Sequence, residues 1–364
     1  VNNFKNKIFL RIFIKKFLFV IISVLSFIAI FSCSKKFSPE PLSLKVKQNL
    51  ALLQEDPQFV MYFNFKKMRD TKFWNEFLSD SVFAAERSFG GLLKLIQESA
   101  GVSISDGIDE LYYSNSWIGD NAMVIKGTFD RKKIDEKISS DSLYTKIDYP
   151  GGVVVYKQQD ANLNFYFKDD FTLCASNYLK IIENTFNVKD TSFTGLLTNQ
   201  ALMKEIELIK FKDNLWMISN QKLFIRGIFE NFSDLGKQIN PKAPGGEFND
   251  SLNLNDTADV NDTEDLYSVY KKINSVAFSI KMTDEIEIVM QNQCEDSHSA
   301  SELKNKTEAI IALAKLSSAL SGKKPPAVIK LLDKVETNLY DSILLIEAKL
   351  NQNDIKNIRM QSVF

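Results

Sequence analysis

Val276, Phe278, Ile280 and Met282 alternate with polar neighbours, the chain turns at Thr283-Asp284, and Ile286, Ile288 and Met290 repeat the alternation on the way back. A period of two gathers these side chains on one face of a pleated ribbon, whereas a helix would scatter them around its circumference. The stretch therefore predicts an antiparallel hairpin with one apolar face. Two further hairpins read the same way. Leu163, Phe165 and Phe167 lead through Asp169-Asp170 to Phe171 and Leu173, and Val335 to Leu339 is followed by Leu344, Ile346, Ala348 and Leu350.

Between these ribbons apolar residues recur at helical spacing. Phe73, Trp74, Phe77 and Leu78 make one face, and Phe89, Leu92, Leu93 and Ile96 make another, with Gly101 placed to end that helix. Asp130 is positioned as the N-cap of a helix carrying Ile134 and Ile138. Ser299-Ala300-Ser301-Glu302 has the form of a capping box before Leu303, Ile310 and Ile311. The expected fold class is α+β, as two tandem domains. Each is an antiparallel sheet with helices packed on one face, in an order like the split β-α-β-β-α-β unit. The expected boundaries are 57–190 and 191–350, with a tail over 351–364. Residues 240–265 carry seven acidic side chains and no basic one from Ala243 onward, and read as a flexible acidic insert in the second domain.

The amino-terminal segment concerns location. Lys5, Lys7, Arg11, Lys15 and Lys16 precede an apolar run from Phe17 to Phe31, which at fifteen residues is short for a membrane span. The run ends at Ile30-Phe31-Ser32-Cys33, which resembles the lipobox of bacterial lipoproteins. The resemblance implies a signal peptide over 1–32, removed by cleavage, and acylation of Cys33. Residues 33–56, with Pro39, Pro41 and many charges, then read as the lipidated cysteine and its tether. Ser34, Lys35 and Lys36 follow the cysteine without an acidic residue, which implies the periplasmic face of the outer membrane.

Removing 1–32 leaves 40 Lys+Arg against 46 Asp+Glu, a formal charge of −6. That argues against a basic footprint for nucleic acid. The single histidine, His298, would have to carry any Ser-His-Asp or zinc site almost alone, and Cys294 with His298 supplies two zinc ligands where a closed site needs four. Ser-x-x-Lys occurs at Ser219/Lys222, Ser268/Lys271, Ser301/Lys304 and Ser321/Lys324 without the companion motifs of Ser-Lys enzymes. Asp259, Asn261 and Thr263 begin a calcium-loop pattern that lacks its glycine and closing glutamate. Cys174 and Cys294 read as buried thiols, with a disulfide permitted in an oxidising envelope. Trp74 and Trp216 read as core. Trp117, in the turn-rich run Ser114 to Gly119, is the candidate exposed aromatic contact.

The strand motifs Asp56 to Asn64, Ala122 to Phe129 and Phe165 to Leu173 resemble a bacterial envelope domain family of unknown function over most of residues 50–350, which implies no catalytic residue. The expected function is a lipid-anchored cell-envelope protein with a non-catalytic binding or scaffolding role, with no cofactor and no metal. Its partners would be the membrane, through the lipid, and an envelope protein or an apolar ligand. A carrier or sensor of an apolar ligand is the alternative, and a carboxylate-dependent glycan hydrolase the lower one.

Overall fold

The computed structural model describes residues 38–77, 87–160, 162–189, 192–212, 214–229, 270–320 and 327–361. Its strands are β1 (Phe59–Asn64), β2 (Ile108–Asn115), β3 (Asn121–Gly127), β4 (Tyr144–Tyr149), β5 (Val153–Gln158), β6 (Leu163–Asp169) and β7 (Thr172–Ser176) in the first half. The second half adds β8 (Leu215–Ser219), β9 (Ile273–Met282), β10 (Ile286–Cys294), β11 (Val335–Tyr340) and β12 (Ile343–Leu350). All join one antiparallel sheet in the order β11-β12-β10-β9-β8-β1-β2-β3-β7-β6-β5-β4.

The α+β class and the three expected hairpins are present, and the two expected sheets are continuous with each other. β1 pairs with β2 on one side and β8 on the other, with Val60 opposite Ile218 and Tyr62 opposite Trp216. All four of these side chains are buried. Without β8, β1 would be an edge strand with a row of unpaired amides beside exposed aromatic surface. The described residues from Pro39 onward accordingly form one compact unit.

Helices cover both faces of the sheet, where one face was expected. Leu92, Leu93 and Ile96 of the Arg87–Ala100 helix and Ile134 and Ile138 of the Arg131–Ser139 helix pack with Phe63, Leu111, Ile125 and Phe165 on the first face. Leu50, Ile182, Leu202 and Ile206, from the Leu44–Leu50, Leu179–Thr185 and Gln200–Glu207 helices, pack with Val60, Tyr112, Val124, Tyr166 and Trp216 on the second. The reason lies in the strands: residues 163–167 are buried without a break, so Asn164 and Tyr166, read as the polar side of a ribbon, lie under a second helical layer. The Ser297–Leu320 helix covers β9, β10 and β12 through Ala300 and Leu303.

Four local readings are corrected. Part of the expected tether is folded, because Ser43 caps the Leu44–Leu50 helix and Leu50 to Leu53 enter the core. The expected tail contains the Gln352–Gln361 helix, with Lys334 bound to Asp354 at 2.5 Å. Asp296, not Ser299, caps the long helix: its carboxylate accepts from Ser299 N at 2.7 Å, and that bond holds its pKa below the usual range. Finally, the sheet gains β4, an edge strand whose Thr145, Lys146 and Asp148 are exposed.

Candidate functional site

The β2–β3 hairpin ends in the five residues Ser116 to Asp120, which present apolar side chains to solvent. Asn115 faces Asn121 across the last strand pair, Ser116 N donates to Asp120 O at 2.7 Å, and Gly119 N donates to Ser116 O at 3.1 Å. Gly119 adopts φ +85°, a left-handed conformation that a residue with a side chain would resist. Trp117 is 49% exposed and Ile118 84%.

Neighbouring elements hold this turn rigidly. Asn177 Nδ2 donates to Gly119 O at 2.9 Å, and Gln54 Nε2 donates to Asp120 O at 3.1 Å. Asn121 N donates to Asn177 Oδ1 at 2.9 Å while Asn177 N donates to Asn121 Oδ1 at 3.2 Å. Ser176 Oγ donates to Asn121 O and accepts from Tyr178 N at 3.0 Å. Tyr178, 51% exposed, thus stands beside the turn it helps to fix. On the other side Phe59, opposite Asn115, packs against Phe224 in a tilted ring pair with centroids 5.3 Å apart, and the adjoining Leu223 is 64% exposed. A pinned backbone carrying exposed aromatic and aliphatic side chains loses little conformational freedom when a partner covers it.

At the opposite end of the same strands the chain enters the fold. Glu40 N donates to Glu207 O at 2.9 Å, and Lys212 Nζ donates to Glu40 O at 2.8 Å. Lys45 Nζ then meets Glu110 at 3.0 Å, and Tyr112 OH donates to the other oxygen of that carboxylate at 3.0 Å. Burial pushes the Tyr112 hydroxyl far above its ordinary pKa, so it remains a donor.

Of the expected site residues, the structure brings Trp117 to the turn, while Cys33 and the lipobox residues Ile30, Phe31 and Ser32 lie outside the described residues. Trp74 and Trp216 are buried. Ser219 Oγ donates to Gln58 O and Lys222 Nζ donates to Lys271 O and Ile273 O, so this Ser-Lys pair does not meet. Lys304 is bound to Glu308 instead of Ser301. Both remaining cysteines are buried free thiols, and burial pushes each up to about 12, where the nucleophilic thiolate is scarce. Ser268/Lys271, Ser321/Lys324 and the Asp259 to Thr263 run fall wholly or partly outside the described residues. Among the described residues no group of three His, Cys, Asp or Glu is arranged to hold a metal, and no helix is long and apolar enough to cross a membrane.

Sequence reasoning missed Ile118, Tyr178 and Leu223, each of which adjoins another apolar residue, Trp117, Leu179 and Phe224. It also missed Leu313 and Leu316, exposed on the long helix together with Ile310, which the helical repeat assigns to the apolar face.

No family model matches this chain, and no curated protein does. Among solved structures, crystal form III of TP0453 aligns over 86% of this chain and 96% of that chain, at 10% identity and a TM-score of 0.42. Crystal form IV of TP0453 aligns over 90% and 96%, at 9% identity and a TM-score of 0.41.

Proposed function

We propose that this chain is a lipid-anchored cell-envelope protein whose role is non-catalytic binding or scaffolding, with the Trp117-Ile118 turn as a contact surface. The rigid presentation of that turn carries the reading. Two large apolar side chains at a hairpin tip gain nothing for the fold by being in water, yet Gln54 and Asn177 each donate a hydrogen bond to the turn from outside the hairpin, and Asn177 exchanges two more with Asn121 where β3 begins. Exposed aromatics on a fixed backbone are the pattern of an interface anchor. Anchoring at Cys33 rests on the lipobox resemblance and on the basic and apolar zones before it.

In-cell photocrosslinking tests the binding role. A photoreactive side chain at Ile118 should give a discrete protein adduct, and one at exposed Lys132 on the Arg131–Ser139 helix should not. Equal labelling at both positions would mean that the turn is ordinary surface. Anchoring is tested separately, because Cys33→Ala should abolish incorporation of labelled fatty acid.

A further inference from the structure

Three carboxylates surround the apolar turn. Glu55 and Asp56 are exposed in the segment that reaches it, the neighbouring Gln54 binds Asp120 O, and Asp120 closes the turn itself. None of the three forms an ion pair among the described residues, although Asp56 accepts a hydrogen bond from Gln221 at 3.1 Å. The nearby cations are engaged elsewhere. Lys180 is paired with Glu183 at 3.3 Å, and Lys222 is turned to backbone carbonyls. Lys222 keeps its charge beside Leu223, so the three unpaired carboxylates leave a net excess of negative charge around Trp117, Ile118, Tyr178 and Leu223 among the described residues.

We infer that this surface docks a protein partner presenting an apolar pocket rimmed by Lys or Arg. The inference rests on the proposed binding role and names the chemistry of the partner. An anionic lipid surface is disfavoured because like charges would meet at Glu55, Asp56 and Asp120, and such juxtaposition is costly at an interface.

The test uses the full-length chain in cells, with a photoreactive side chain replacing Ile118. It compares the parent with a neutralised variant, Glu55→Gln with Asp120→Asn, and a reversed one, Glu55→Lys with Asp120→Lys. The expected result is a protein adduct that falls about two- to threefold on neutralisation and at least about tenfold on reversal, with melting temperatures unchanged. A protein adduct of equal yield in all three overturns the charged-rim inference and leaves the binding role standing. A lipid adduct, or no adduct at Ile118, overturns both.

Discussion

Replacing Gly195 by Ala isolates how the amino-terminal segment is locked to the sheet. Gly195 opens the short 3-10 turn Gly195–Thr198 at φ +54°, and a methyl group built on it would lie 2.4 Å from both Ala51 O and Leu53 O. Both obstructing atoms belong to backbone, so no side chain can rotate away. Left-handed geometry costs a non-glycine residue about 1–2 kcal/mol. Separating the two packed backbones adds about 1–3 kcal/mol, the usual range for overpacking. The total is roughly 2–5 kcal/mol, and at about 2 °C per kcal/mol for a domain of this size it lowers Tm by ~4–10 °C. Gly227 is the internal control. It lies in the helix over 222–229 with no atom within 4 Å of the added methyl, so Gly227→Ala should stabilise by about 0.5–1 kcal/mol. Both variants of residues 38–364 can be melted by far-UV circular dichroism, with hydrogen exchange at Leu50 to Leu53 as a local readout. A Gly195→Ala melting point within ~1 °C of the parent would refute the steric argument, as would a shift of the same sign in both variants.

Trp117→Ala with Ile118→Ser should change stability by less than about 0.5 kcal/mol, as for ordinary surface positions, while removing the crosslink reported from a photoreactive Tyr178. Loss of folding would show instead that the turn supports the fold. Glu205 is largely buried against Ser275, at 2.8 Å, and burial raises its pKa. A raised carboxyl favours the fold below the unfolded value of about 4.3 and loses that contribution as pH rises through the folded value. Glu205→Gln should therefore gain on the parent in urea denaturation between pH 4 and pH 7, and a widening deficit over that range would contradict the sign. Cys174 and Cys294 should resist iodoacetamide at pH 8 in the native protein and react fully in denaturant, as followed by intact mass. Rapid native labelling of either would contradict its burial.

Elements whose signal is local were readable from sequence. Residues 276–290 needed only their period of two, and Asp130 with Ile134 and Ile138 needed only a cap and a helical repeat. Signals carried by distant contacts were not readable. Nothing near Tyr62 says that Trp216 lies across from it, so two sheets were expected where the pairing of Tyr62 with Trp216 makes one. The edge strand β4 was missed because Thr145, Lys146 and Asp148 face water and dilute its pattern. Leu44–Leu50 was missed because Lys45 and Lys47 flank the lone Val46 through which the helix meets the core before Leu50. At the site, Trp117 stood out as an aromatic among turn residues. The carboxylates around it come from segments far apart in sequence, which the pairing of Phe59 with Asn115 and the Gln54 hydrogen bond to Asp120 bring together.

The junction at β1 also orders the chain in time. Every strand from β3 to β7 finds its neighbours within residues 108–176, and β10 to β12 find theirs within 273–350. β1 alone must wait for a partner about 150 residues later, since Val60 pairs with Ile218. Loop closure makes such distant pairing slow compared with hairpin formation. During synthesis the first half can therefore assemble with one flank of β1 bare, an adhesive edge that persists until residues 215–219 arrive. A chain cut before Leu215 would keep that edge for good, and self-association of the truncated protein is its expected fate.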